Sequence, residues 1–475
     1  MEFQQAKRLE VRTLQNIQIE TLRKVHFIGI SSSFSSFSAN VLYNRGVHLT
    51  ASEYDQGNEQ GEYWREKGIL YPEGHNAEYV TPDIDLVVFP NAPSLDNPEV
   101  EQTYKLNLPH ICSAELLGLV TREYRTIAVT GTHGKTTTTA MIIWLLTQTV
   151  GEPNYAACDK DQIIGLNKSI NLTSETDLFV LEADEYMEKF LLTTPNPWIS
   201  VVTHVDLDHT DYFEDQAAYN EAFKKFLLPT RNTIVVDLSG NNESAIVDQL
   251  QAMRKDLDII DVRLHKQVMK EFDLQFPGTH NLLNGLKAYL VGMQLNIPRH
   301  DILEALNSYK GVTRRFEYIG ENASNNLLYK DYAHNPQKIK ACLESVQEKH
   351  PHRRKILVFE PHSIERCYSF SREFAIAIEK ADVVIVVSIY TPIREQSNPR
   401  YDHLISSEEF AEHLQVHNPD KPVSFAGSIE RAFEMLSSIE QNDSDVIVFA
   451  SAGILHQEVD MRMEVPAKST PITTS

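Results

Sequence analysis

The stretch VTGTHGKTTTT, Val129 to Thr139, completes the apolar run Thr126 to Val129 and leads into the helix-like AMIIWLL, Ala140 to Leu146. Strand, glycine-bearing turn and helix in that order predict a phosphate-binding loop. Gly131 and Gly134 let the backbone turn tightly and aim its N–H groups inward, with Thr132 and His133 between them. Lys135 adds a point charge for the outer phosphates. The Thr136 hydroxyl is placed for a magnesium ion at a helix N-terminus that already favours anions, and Thr137 extends the same turn. The usual GxxxxGK[ST] spacing would need glycine at Val129, so the loop is a variant form. A surface Gly-Lys-Thr turn is the alternative, and the flanking strand and apolar helix argue against it.

Composition bounds what this loop serves. A chain of 475 residues is too long for one core and predicts several domains, and 42% apolar residues allow each its own interior. A formal net charge of -22 argues against a nucleic-acid partner but leaves room for an anionic small substrate in a local basic pocket. Cys112, Cys158, Cys342 and Cys367 show neither metal-ligand spacing nor pairing logic, which fits a reducing compartment. The first twenty residues lack a signal-peptide core and no apolar run is long enough to span a bilayer, so a cytoplasmic protein without membrane insertion is expected. Met1 to Arg23 reads as a polar lead-in, and the last dozen residues, rich in Pro, Ser and Thr, as a mobile tail.

Upstream of the loop, KVHFIGI (Lys24 to Ile30), Val47 to Ala51 and DLVVFP (Asp85 to Pro90) read as strands of a parallel sheet reaching to about Leu119. This opening resembles a nucleotide-binding βαβ unit, with Glu53 where a ribose hydroxyl is held, yet SSSFSSFS replaces all its turn glycines but Gly29. Nucleotide binding and a purely structural unit both remain open. NAPSLDNPEV, Asn91 to Val100, reads as a loop entering a helix.

Downstream, the strand in DLFVLEADEY ends in Glu182, Asp184 and Glu185, where oxygen ligands for a phosphate-bound magnesium belong; a solvated acidic turn is the alternative. WISVVTHV, Trp198 to Val205, runs into DLDHTDYF, which puts His209 among Asp206, Asp208 and Asp211 as a second metal ligand. Asn220 to Lys270 reads as helical with one strand, Thr233 to Leu238. At FPGTHNLLNGLKAYLVGMQL, Phe276 to Leu295, an amphipathic helix begins with His280, Asn281 and Asn284, which are able to read an adenine edge or simply to cap the helix. Arg314 and Arg315 beside Glu317 suit a phosphate clamp at a hinge, or form an exposed basic pair. Strands at Lys355 to Ser363, Ala381 to Tyr390 and Asp445 to Ile454 close a further doubly wound unit.

GTHGKTTTTAM, LEADE, DLDHTD, PGTHNLLNGLKA, KGVTRRFE and DYAHNP, in this order across nearly the whole chain, resemble the Mur ligase family of ATP-dependent cell-wall ligases. The resemblance implies a three-domain α/β protein: a Rossmann-like UDP-substrate domain at 1–120, a central parallel-sheet ATPase domain at 121–311 and a Rossmann-like ligase domain at 312–475. It implies that ATP activates the lactyl carboxylate of UDP-N-acetylmuramate as an acyl phosphate, which the amine of L-alanine attacks. The alternatives are a muropeptide-recycling or other peptide ligase, or a non-catalytic ATP-binding homologue. By motif matching, Lys135 meets the outer phosphates, Thr136 one Mg2+ and Glu182 with His209 a second. His280 and Asn284 face adenine, Arg315 the γ-phosphate and Asp331 the ribose, while His334, His362 and Arg366 serve the substrate. In EPHSIERC, Ser363 stands in place of a second arginine of the amino-acid pocket, so Ser363→Arg is expected to alter donor preference. ACDKDQIIGLNKSI replaces a glycine-rich stretch before LEADE, and His204 replaces the asparagine usual ahead of the DH pair.

Overall fold

The computed structural model describes residues 17–462 apart from 55–58, 73, 92, 95, 123, 158–161, 167–169, 172–175, 189–195, 210–211, 323, 392–400, 402–403 and 440–444. Cys158, Asp211, residues 1–16 of the lead-in, part of the ACDKDQIIGLNKSI stretch and the C-terminal tail therefore lie outside the described residues. Among the described residues no helix is long and apolar enough to cross a membrane. The described cysteines, Cys112, Cys342 and Cys367, are buried and unbridged.

The first sheet joins β1 (Lys24–Ile28), β2 (His48–Ser52), β3 (Leu86–Phe89) and β4 (His110–Cys112) in the order β2-β1-β3-β4, all parallel. Its central strand β3, LVVF, is an apolar run buried on both faces, as a parallel sheet covered by helices requires, while the edge strand β2, HLTAS, is polar and partly exposed. After β1 the chain turns through Gly29 at φ +80° into helix α1 (Ser33–Asn44), whose N-cap Ser32 accepts the Ser35 N–H. Helix α2 (Pro98–Lys105) starts on an Asn97 cap with proline in its first turn.

The second sheet is seven-stranded: β5 (Arg125–Thr130), β6 (Asn154–Ala156), β7 (Ile170–Asn171), β8 (Leu178–Glu182), β9 (Ile199–Val202), β10 (Thr233–Val236) and β11 (Asp258–Asp261), ordered β11-β10-β9-β5-β8-β6-β7. Only β7 runs antiparallel, at the edge. Helix α3 (Lys135–Thr149) is buried on all faces from Thr138 to Leu146, which explains why its sequence is apolar without a stripe. It is covered on its far side, where Trp144 Nε1 donates to Ala305 O at 3.0 Å. Helices α4 (Gln216–Leu227) and α5 (Asn241–Met253) pack into the core shared with the first sheet, and α6 (Thr279–Gln294) follows β11 in the chain.

One expectation needs correcting here. Asn220 to Lys270 carries two strands rather than one, because DIID pairs with β10 in parallel register and is followed by a 3-10 helix, Val262–Glu271. β11 is an edge strand, so its polar ends meet water on one side and give no apolar run to read in the sequence.

The third sheet contains β12 (Glu317–Glu321), β13 (Leu327–Asp331), β14 (Lys355–Glu360), β15 (Val383–Val386), β16 (Val423–Phe425) and β17 (Val446–Ser451), ordered β12-β13-β17-β14-β15-β16, with β12 antiparallel at the edge. Helices α7 (Pro336–Lys349) and α8 (Ile364–Ser369) follow β13 and β14. The chain forms two compact units: Met1–Leu274 with Leu282–Lys310, and Gln275–Asn281 with Gly311–Ser475. The first two sheets share the first unit because one core runs through both, with Phe37 of α1 and Phe179 of β8 at a ring separation of 4.8 Å.

Candidate functional site

In the first unit the site is built at the carboxyl end of β5, where a parallel sheet presents ligands. Gly131 has φ +129°, and a Cβ there would come within 2.2 Å of Thr203 Oγ1 and 2.7 Å of His204 O. The loop backbone thus lies directly on the segment after β9. The Thr132 N–H donates to His204 O at 2.7 Å, and its hydroxyl donates to Asp206 O at 2.7 Å and meets the Tyr219 hydroxyl at 3.0 Å. His133 follows, and Gly134, at φ +83°, caps α3 with Asn284 Oδ1 2.8 Å from where its Cβ would stand. Asn284 therefore packs on the phosphate loop itself, and Thr137 belongs to the first turn of α3.

Lys135 Nζ donates to Gly131 O and to Glu185 Oε2, both at 2.7 Å, with Asp184 at 3.8 Å. Burial disfavours the ammonium charge, but Glu185 and Asp184 outweigh it and hold the Lys135 pKa above its ordinary value. Burial pushes the Glu185 carboxyl up, and the opposing pull of Lys135 and His209 leaves it depressed. His209 Nε2 lies 3.5 Å from Glu185 Oε1. Burial lowers the His209 pKa, but Glu185 and Asp208 raise it overall.

The Thr136 hydroxyl donates to Glu182 Oε1 at 2.7 Å. This hydroxyl–carboxylate pair is a hard-oxygen set suited to Mg2+, which takes one or two protein oxygens and fills its remaining positions with phosphate and water. Among the described residues no group of three His, Cys, Asp or Glu side chains forms an all-protein cage. The donor set therefore fits a metal held jointly with a phosphate.

Loop, Lys135, Thr136, Glu182, His209 and Asn284 are thus gathered in one unit. Glu53 is turned inward: its Oε2 accepts the Ser31 N–H at 3.1 Å and the Ser31 hydroxyl at 2.5 Å, so the serine-rich turn is tied to the acid proposed for a ribose.

The second unit carries the other candidates. The Arg314 and Arg315 guanidinium groups lie 5.0 and 4.7 Å from the centre of the Tyr332 ring. The Tyr332 N–H donates to Arg314 O at 2.6 Å, and the Phe316 N–H donates to Asp331 Oδ2 at 2.8 Å. Burial pushes the Asp331 carboxyl up to about 6 against the pull of Arg315. His334 Nδ1 lies 2.9 Å from Tyr332 O and must donate to it, which leaves Nε2 as an acceptor, and burial holds the ring well below the usual imidazole pKa. Its ring is 5.7 Å from that of His362, which stacks on Tyr390 and faces Arg366 Nη1 at 3.2 Å. His334, His362 and Arg366 therefore form one cluster past the ends of β13 and β14.

His280 and Asn284 are divided between the units. His280 lines a cavity of about 500 Å³ with Glu344, Ser345 and Glu348 of α7. Asn281 Nδ2 donates to Pro277 O at 2.8 Å, the capping role. Ser363 is buried at φ +75° and caps α8 by accepting the Arg366 N–H.

The residues that sequence reasoning missed are Tyr219, which reads as an ordinary core aromatic of α4, and Glu243, a polar position in α5. Neither carries a local signal. Glu185 was visible only as one of three acids after β8.

Comparison with known proteins adds three family matches along the chain: "Mur ligase family, catalytic domain" at residues 24–125, "Mur ligase middle domain" at 129–292 and "Mur ligase, glutamate ligase domain" at 314–453. A UDP-N-acetylmuramate–L-alanine ligase of Clostridium kluyveri is 34% identical over 396 residues, 79% of this chain and 85% of that protein. The protein of the same name from Salinibacter ruber is 31% identical over 458 residues, 91% of this chain and 92% of its own. Among solved structures, the UDP-N-acetylmuramate-alanine ligase of Thermotoga maritima shares the fold with a TM-score of 0.70 at 23% identity, covering 91% of this chain and 96% of that one.

Proposed function

This chain belongs to the Mur ligase family, and on that premise we propose that it is an ATP-dependent ligase joining L-alanine to the lactyl carboxylate of UDP-N-acetylmuramate in the cytoplasm. The observation that carries the reading is Lys135 on a tightly packed glycine loop beside the Thr136–Glu182 oxygen pair. We assign the UDP-sugar to residues 1–120, the phosphate loop and most ATP contacts to 121–311, and the amino acid with the remaining ATP contacts to 312–475.

In the first step a carboxylate oxygen of the sugar attacks the γ-phosphorus of ATP and ADP leaves. In the second, the neutral amine attacks the acyl carbon, inorganic phosphate leaves and the amine gives up a proton. Charge spreads over phosphoryl oxygens throughout, so the protein's task is to align donors and cations. Lys135 and the first-turn N–H groups of α3 face the outer phosphates. Thr136 would hold one Mg2+ and Glu182 with His209 a second, and the bound metal would neutralise phosphate charge. Asn284, beside Gly134, and His280 are assigned to the adenine, Asp331 to the ribose and Arg315 to the γ-phosphate. Arg366 and His362 receive the amino-acid carboxylate, and His334 Nε2, held neutral, accepts a hydrogen bond from an N–H of its amine.

The test is phosphate release from ATP and Mg2+ by the purified protein with UDP-N-acetylmuramate and a panel of amino acids and short peptides. Release that requires both the UDP-sugar and L-alanine is expected. Dependence on a peptide instead would move the protein to the recycling type, a reading that Ser363 favours by leaving only one guanidinium in the pocket. ATP binding without release under any pairing would make it a non-catalytic homologue.

A further inference from the structure

The segment His204 to Asp206 is stitched to the phosphate loop through the backbone and the hydroxyl of Thr132. The Thr132 N–H donates to His204 O at 2.7 Å, the Thr132 hydroxyl to Asp206 O at 2.7 Å, and the Asp206 N–H back to Thr132 Oγ1 at 3.0 Å. At Gly131 the loop backbone approaches the same segment so closely that an added Cβ would stand 2.7 Å from His204 O. Whatever fixes this segment therefore fixes the loop.

Two side chains of α5 hold it. Glu243 Oε1 accepts the Val205 N–H at 2.8 Å and lies 2.8 Å from His204 Nδ1, while Asn242 Nδ2 donates to Val205 O at 2.8 Å. The other Glu243 oxygen is buried without a hydrogen bond among the described residues, so the hydrogen bonds of this carboxylate go to the 204–205 segment. The second ring nitrogen, His204 Nε2, lies 2.9 Å from Asp206 Oδ2. With a carboxylate facing each nitrogen, both must donate, and only the imidazolium has two N–H groups.

We propose that His204 is a positioning residue: its imidazolium, clamped between Glu243 and Asp206, locks the 204–206 segment onto the phosphate loop and so sets the loop's affinity for nucleotide. It touches no nucleotide in this role. The inference rests on the ATP-dependent reading above. Glu243 first, then Asp206, holds the ring's pKa above its usual value despite partial burial. The imidazolium therefore persists to higher pH than that of an ordinary histidine, and the clamp opens as pH rises. Lys287 also faces Glu243, with Asp237 and Lys266 beside it; burial pulls Lys287 down to about 8, so it is a second group that titrates on the alkaline side.

The experiment measures equilibrium binding of Mg·ATP between about pH 6 and 9 for the parent, His204→Asn, Glu243→Gln and Lys287→Met. The parent and Lys287→Met should lose affinity by about tenfold across that range. His204→Asn, whose amide still donates to Glu243 but carries no charge, should show a flat profile. Glu243→Gln should bind weakly throughout. A flat parent profile, or a slope that survives in His204→Asn and vanishes in Lys287→Met, overturns the clamp. The ring's 15N signal, identified by its loss in His204→Asn, reads protonation without nucleotide. Imidazolium at neutral pH in a protein that binds no ATP would fault the ligase reading and leave the clamp standing, whereas a neutral ring there would overturn the clamp.

Discussion

Lys135 Nζ lies 2.7 Å from Glu185 Oε2, so the cation meant for phosphate is already neutralised inside the protein by a carboxylate only 1% exposed. Phosphate oxygens and Glu185 compete for the same ammonium group. Glu185→Ala leaves Lys135 without its main partner, a loss of about 3 kcal/mol for a buried ion pair broken on one side. Bound Mg·ATP supplies replacement oxygens, so the nucleotide-induced rise in melting temperature should be larger in the variant than in the parent. Equal rises in the two proteins would show that nucleotide does not reach Lys135.

The same pair changes what a lysine substitution does. A side chain aimed only at ligand could be removed without harm to the fold, but Lys135→Met leaves the buried Glu185 with only His209 and the Tyr219 hydroxyl beside it among the described residues. Turnover should fall by about a thousandfold, as when one preorganised donor to a developing anion is lost, and urea unfolding should show a loss of about 3 kcal/mol. Lys135→Met combined with Glu185→Leu should regain most of the stability and none of the turnover.

Gly131 is the position where the loop tolerates no side chain. Alanine there meets Thr203 Oγ1 at 2.2 Å and the His204 backbone at 2.7 Å, at φ +129°. Since the obstacle is largely the His204 backbone, the loop must move off the segment after β9, and Gly131→Ala should lose more than about 2 kcal/mol of stability together with nucleotide binding. Chemical denaturation and a binding titration measure the two effects independently. Wild-type binding in the variant would mean that the loop's contact with His204 is dispensable.

Ser363 occupies a backbone role. Its φ of +75°, its burial and its capping of α8 leave no path for a long side chain into the pocket without loss of the cap. Ser363→Arg should therefore destabilise the second unit by about 2 kcal/mol, and Ser363→Gly should be tolerated, as melting curves would show. A stable Ser363→Arg protein with an altered donor profile would restore the sequence-based expectation.

What was legible in the sequence was what is locally constrained. The phosphate loop could be read because Gly131 and Gly134 answer to backbone geometry, and the acids after β8 because they follow an apolar strand that pairs with β5. Choosing Glu185 over Asp184 as the partner of Lys135 needs side-chain direction across two strands, which no spacing encodes. The His204–Glu243 contact spans 39 residues to a helix whose polar positions resemble any solvated face. β11 escaped because an edge strand half in water need not be apolar.

Glu99 shows the same limit and yields a pH prediction. Its place in the first turn of α2 is where acids ordinarily face water and complement the helix dipole, yet it is fully buried. Its Oε2 lies 3.0 Å from His26 Nε2 and accepts the Ser52 hydroxyl at 2.6 Å, while Oε1 accepts the Asn76 N–H at 2.8 Å. Burial raises its pKa, but the hydrogen bonds from His26 and His75 outweigh that and lower it from 4.5 to about 2. A depressed carboxylate adds stability above its unfolded pKa and loses it as pH falls toward the folded value. The contribution should be about 3 kcal/mol at neutral pH and should fade between about pH 4.5 and 2. Glu99→Gln abolishes that titration, so the stability gap between parent and variant should be widest near neutrality and should close on acidification. Melting temperatures from about pH 7 down to 3 test this, and a gap that stays constant across the range would place the Glu99 carboxyl at its ordinary pKa and assign the cost of the substitution to packing alone.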